Sequence, residues 1–223
     1  MASPLQGYMP HRQVNFDVLG PAWKLFQQEA ATWLLTALIL MAVSGIVGVA
    51  LSIVVPIVGG FVGSIPGMVL SVGAFRMALK QIRGAKIAVG DVFDISDVIA
   101  PAIVAALLWS IATSIGFVLC ILPGLVLVGL LLFTFPLIAD RRMDGIEAMK
   151  LSVETLKDEW LMAAVFSLVL GLIATVGLLA CGVGILVAGP VILLAEALLY
   201  RAYFPEAAAA PAASPAPPEP PSA

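Results

Sequence analysis

Three stretches of the chain, residues 30–75, 98–139 and 160–195, contain no Asp, Glu, Lys, Arg or His. A helix crosses a hydrocarbon core of about 30 Å with roughly 20 apolar residues, so each stretch has room for two crossings and a turn. Each is punctuated near its middle by turn-forming residues: Pro56-Ile57-Val58-Gly59-Gly60, Leu122-Pro123-Gly124 and Cys181-Gly182-Val183-Gly184. The pattern predicts three helical hairpins. Because the stretches are continuously apolar rather than alternating, they read as helices and not as barrel strands. Composition agrees: 61% of the 223 residues are hydrophobic, 11% are charged and the mean hydropathy is +1.10. A soluble fold could not cover that much apolar surface.

The expected fold class is therefore all-α: a polytopic membrane protein with six transmembrane helices as three hairpins. The spans are expected at about residues 32–54, 57–79, 99–121, 124–142, 160–180 and 183–203. Every Lys and Arg falls outside the charge-free stretches, in segments that two-crossing hairpins would return to one face. Positive residues mark the cytoplasmic side, which predicts a bacterial inner membrane location with both termini cytoplasmic. The start, MASPLQGYMPHRQVNF, lacks an apolar core region, so the first span is expected to act as an uncleaved signal anchor. Residues 1–14 read as a mobile N-terminus, 15–204 as the membrane domain and 205–223 as a disordered Ala/Pro-rich tail.

The charged segments have a pattern of their own. Met143, Ile146, Met149, Val153, Leu156 and Trp160 recur at three- and four-residue steps, which lines them along one helical face. Asp144 followed by Glu147 resembles a capping box, and Arg141 and Arg142 close the preceding span. Cytoplasmic interfacial amphipathic helices are expected at about 21–31, 91–98 and 144–159, the first opened by Pro21. The chain thus reads as three degenerate units, each an interfacial helix followed by a hairpin.

The combination GAFRMALKQIRGAKIAVGDVF, LPGLVLVGLLLFTFPLIADRRMDGIEAMKLSVETLKDEW and GPVILLAEALLYRAYF resembles a group of uncharacterised bacterial integral membrane proteins. That group is related to the membrane domain found beside some glycerophosphodiester phosphodiesterases. The resemblance covers about residues 15–204. It is carried by Gly73, Arg83-Gly84, Asp91 to Phe93, Pro123-Gly124, Asp140, Ala148, Ser152, Trp160, Pro190 and Tyr200. It implies a six-span inner-membrane protein and no phosphodiesterase activity, since that chemistry belongs to a separate soluble domain.

The sole histidine, His11, lies in the polar N-terminal segment, so neither a His-based metal site nor a Ser/His/Asp arrangement can be assembled. Asp91, Asp94, Asp97, Asp144, Glu147, Glu154, Asp158 and Glu159 sit among Lys and Arg and read as a solvated face. No catalytic residue, cofactor or metal is expected, and a net charge of −3 gives no reason to expect nucleic acid.

Three intramembrane features carry open alternatives. Gly59, Gly63, Gly67 and Ser71, at four-residue steps, form a glycine-zipper ridge for close helix packing or for self-association. Glu196 is costly at membrane depth; it reads either as an ion pair with Arg201 or Arg76, or as a protonatable group on a solute path. Cys120 and Cys181 fall at outer ends of spans, where they are small apolar residues or a disulfide. The fourth span, Gly124–Ala139, is short and contains Pro136. The functional expectation is a non-enzymatic membrane scaffold or accessory subunit, partnered by the bilayer and by another membrane protein or a second copy. The alternative is a small-solute or ion transporter using the second span, the fourth span and Glu196.

Overall fold

The computed structural model describes residues 13–54, 59–179 and 183–205, and every regular element among them is helical. In chain order these are α1 (Leu19–Gln28), α2 (Ala30–Val54), α3 (Gly59–Ile82), a 3-10 turn η1 (Val89–Phe93), α4 (Ile99–Leu119), α5 (Ile121–Leu130) and α6 (Thr134–Arg141). There follow α7 (Gly145–Leu156), a 3-10 turn η2 (Lys157–Glu159), α8 (Trp160–Leu179) and α9 (Val183–Tyr203). Among the described residues, five helical stretches are long and apolar enough to cross a membrane: Ala30–Ala50, Ile99–Leu119, Ile121–Arg141, Gly145–Leu179 and Gly184–Tyr203.

Sequential helices pack on one another: α2 on α3, α4 on α5, α8 on α9. Contacts of α3 with α4, α5 with α8 and α9 with α2 close a ring, while α3 also reaches α6 and α9. The most buried side chains, among them Met77, Leu137, Ile138, Leu194, Leu198 and Tyr200, lie toward the ends of α3, α6 and α9 that carry the ionic residues. The other end is bare: Val118 is 88% exposed and Leu179 78%. Keeping one such side chain out of water is worth roughly 1.5–3 kcal/mol, so a surface made of many of them is stable only against lipid.

Small residues set the helix spacing. A Cβ on Gly129 would lie 2.7 Å from the Ala163 carbonyl carbon of α8, and one on Gly145 2.6 Å from the Pro101 carbonyl oxygen of α4. On α3, a Cβ at Gly67 would meet Ser44 Oγ of α2 at 2.5 Å. The expected ridge is therefore a contact with α2 at Gly67; the surroundings of Gly59 and Gly63 lie outside the described residues. Ser71 turns its hydroxyl back to the Met68 carbonyl at 2.6 Å.

Several sequence expectations need correction. The first amphipathic helix starts at Leu19, before Pro21, which sits inside the first turn, where no backbone donor is needed. The segment expected as a helix over 91–98 is the 3-10 turn η1 followed by non-helical turns up to Val98. The fourth span is not short at its outer end, because Cys120 alone, in an extended conformation, separates α4 from α5. Pro123 and Gly124 then fall in the first turn of α5 instead of forming the reversal, again because a first-turn proline costs no hydrogen bond.

The fourth span is interrupted elsewhere. Residues 131–133 leave the α-helix between α5 and α6. The buried Ser152 of α7 repairs the gap: its hydroxyl donates to the Leu130 carbonyl at 2.7 Å and accepts from the Phe133 N–H at 3.0 Å. This shows how α7 is used. Its protein-facing side is Gly145, Ala148, Ser152 and Leu156, all buried, whereas Ile146 and Trp160 of the predicted apolar stripe are exposed. Asp144 is the N-cap but makes no side-chain cap bond, so the expected capping box is absent. Ser152→Ala is expected to cost about 2 kcal/mol, since two buried backbone groups lose their partner; a thermal melt followed by size-exclusion chromatography checks it.

Candidate functional site

The C-terminal turns of α3 carry Arg76 and Lys80, Arg83 follows its last residue, and each reaches a different neighbour. Arg76 grips Asp97 with two parallel hydrogen bonds of 2.7 and 2.9 Å. It also donates to the carbonyls of Ala139 at 2.9 Å and Asp94 at 2.6 Å. Asp97 is shared with Arg142, whose Nε lies 2.8 Å away. Arg142 holds a left-handed conformation, φ 54°, at the end of α6, a strain of roughly 1–2 kcal/mol for a residue with a Cβ. Lys80 binds both oxygens of Asp91 at 2.9 and 3.0 Å, and the same carboxylate accepts the Ala88 N–H at 2.9 Å.

The Arg76 hydrogen bonds hold the Asp97 carboxyl below the usual carboxylate range, reinforced by the charges of Arg76 and Arg142. At Asp91, burial pushes upward but is outweighed by Lys80 and the Ala88 amide, so it too is lowered. Carboxylates lowered in the folded state stabilise it above their unfolded value of about 3.9, and that contribution is lost as pH falls through the folded values. The 85–97 segment is therefore expected to keep its hydrogen-exchange protection at pH 5 and to lose it below about pH 4.

Across this frame lies the most buried of the ion-paired carboxylates. Asp140, with its side chain 6% exposed, accepts from Arg83 at 2.7 Å and from the Tyr200 hydroxyl at 3.1 Å. Tyr200 packs with Phe133 and Phe204, and Arg141 lies over the Phe204 ring at 4.7 Å. Arg201 donates to the Ile82 carbonyl at 3.2 Å. At the other edge, the Val14 N–H donates to Glu159 at 2.8 Å and Phe16 meets Phe166. The ionic segments thus meet at one end of the helix ring. A cavity of about 220 Å³ remains among them, lined by Arg76, Arg83, Asp94, Asp140 and Arg142 with Leu79 and Ala139.

A second cavity of about 270 Å³, almost wholly apolar, lies between α2, α3 and α9, with Trp33, Leu40, Gly67, Gly189 and Leu193 in its wall. Beside it a buried polar chain ties three helices: Trp33 donates to Gln81 at 2.7 Å, and Gln81 donates to the Leu25 carbonyl at 2.7 Å.

The chain matches no family model, no curated protein and no solved structure. The ion pairs of Arg76 and the hydrogen bond of Arg201 run to Asp97 and Ile82, not to Glu196. Glu196 has no hydrogen bond or ion pair among the described residues. Cys120 is exposed between α4 and α5, and Cys181 lies outside the described residues. The sequence reading missed the pairing of Asp97, Asp140 and Tyr200 and the role of Gln81. Asp97 and Asp140 did mark the borders of a charge-free stretch, the signal that could have flagged them.

Proposed function

We propose that this chain is a six-span bacterial inner-membrane protein acting as a non-enzymatic scaffold or accessory subunit. In this reading the hairpins are α2–α3, α4 with α5 and α6, and α8–α9, and all the ionic segments face the cytoplasm. The observation that carries it is the use of the charged groups: Arg76, Arg142, Arg83, Lys80 and Arg201 all tie one element to another. Such a frame fixes helix ends in place, which suits a platform. Polar groups within the spans support it, since Thr113, Thr175 and Ser71 donate to carbonyls of their own helices. Gly73, Asp140, Ser152 and Tyr200 are among the residues on which this frame depends.

Extraction from native membranes in mild detergent, followed by mass determination, tests the reading. A membrane protein bound in fixed ratio is the expected result; recovery of the chain alone would count against it. One observation favours transport instead: Glu196 sits in α9 without a protein partner among the described residues. If that reading holds, Glu196→Gln abolishes solute or proton flux in reconstituted vesicles. The scaffold reading expects wild-type vesicles to be no leakier than protein-free ones.

A further inference from the structure

The cavity between α3, η1 and α6 has a lining of mixed sign: Arg76, Arg83 and Arg142 with Asp94 and Asp140. Most of these charges are committed. Arg76 is taken up by Asp97 and two carbonyls, and Asp140 by Arg83 and Tyr200. Two lining groups keep open valences. Arg142 gives only Nε to Asp97, which leaves both Nη nitrogens without a partner among the described residues, on a side chain 71% exposed. Asp94 contributes its backbone carbonyl to Arg76, and its carboxylate has no partner among the described residues.

The open guanidinium of Arg142 and the exposed Asp94 border one small cavity, which asks for a ligand carrying both signs. The planar guanidinium fork matches the oxygens of a phosphodiester. A carboxylate matches a primary ammonium, which donates up to three hydrogen bonds. A quaternary ammonium would instead seek aromatic faces, and no aromatic side chain lines this cavity. A purely anionic group would leave the Asp94 carboxylate unmatched, since Asp140 is already paired with Arg83 and Tyr200. At about 220 Å³ the space is smaller than the roughly 300–1,000 Å³ that drug-sized ligands occupy, which suits a headgroup. We propose that this cavity binds a phosphoethanolamine group, its phosphate on Arg142 and its ammonium on Asp94. The proposal rests on the reading that sets the ionic end of the bundle at the membrane boundary, where such headgroups are concentrated.

The test is calorimetric titration of the full chain in detergent with dihexanoyl phosphatidylethanolamine, the matching phosphatidylglycerol and phosphatidylcholine, and water-soluble glycerophosphoethanolamine. The ethanolamine lipid is expected to bind about tenfold more tightly than the other two lipids. Asp94→Asn, which keeps the shape, should erase that preference by weakening the ethanolamine lipid alone. Arg142→Gln should weaken all of them, with the melting point of each variant checking that the fold persists. Binding of glycerophosphoethanolamine as tight as that of the lipid supports the site and assigns its occupant to water; binding of the lipid alone supports it and assigns a bilayer occupant. Equal binding of the three lipids, or an Asp94→Asn protein that keeps the preference, overturns it. Binding that persists when no protein partner is found in native extracts separates this site from the scaffold reading.

Discussion

Replacing Gly73 by leucine is expected to leave almost no monodisperse protein after extraction. A Cβ at this position would overlap the carbonyl oxygen of Val92, a backbone atom that cannot rotate away. The η1 turn would have to lift off α3, and with it the Lys80–Asp91 and Arg76–Asp97 pairs that lie on either side. Even Gly73→Ala is expected to cost about 3 kcal/mol, the upper end of ordinary overpacking. That lowers the melting point by roughly 6–12 °C for a chain of this size. Gly20→Ala is the matched control. It lies in the first turn of α1 with nothing within 4 Å, so it should be neutral or slightly stabilising. Equal melting points for the two alanine variants would show that η1 does not dock on α3 as described.

The second large effect is expected at Asp140. Asp140→Ala removes the Asp140–Arg83 ion pair and the acceptor of the Tyr200 hydroxyl, in a place where Tyr200 is almost fully buried. Removing one partner of a buried charge pair costs about 3–5 kcal/mol; because Arg83 is about one-third exposed, roughly 3 kcal/mol is expected. Asp140→Asn keeps an acceptor oxygen and should recover about half. A double-mutant cycle with Tyr200→Phe measures the hydroxyl's share: the two losses should be clearly less than additive, as expected for groups in direct contact. Additive losses would mean that the two side chains do not meet.

The long helices could be read from the chain because long charge-free runs leave only one way to satisfy backbone groups in lipid. The helix α8 begins at Trp160, directly after the last ionic residue before that run, Glu159. The errors arose where tertiary contacts replace local signals. Pro123-Gly124 has the chemistry of a turn, but proline is equally at home in a helix's first turn, and Cys120, with no turn signature, makes the reversal. In α7 the periodic apolar residues were real, yet the side that touches protein is the small one, Gly145, Ala148 and Ser152. Periodicity identifies an apolar face; it does not say whether lipid or protein covers it. The ionic frame was legible only as an inventory of charges. Asp97 meets Arg76 and Arg142 through a non-helical segment whose course no period describes. Asp140 finds Tyr200 across 60 residues.

In the proposed topology the ionic end of the bundle faces the cytoplasm and the bare apolar end faces outward. Thiol labelling in spheroplasts with a membrane-impermeant maleimide tests this directly, using Cys181→Ala so that Cys120 is the single cysteine. Cys120, exposed between α4 and α5, should then be labelled without permeabilisation. In a second protein lacking both native cysteines, Lys86→Cys, in the exposed turn after α3, should be labelled only once the membrane is opened. Labelling of Lys86→Cys in sealed spheroplasts, with Cys120 protected, would invert the topology and contradict the account.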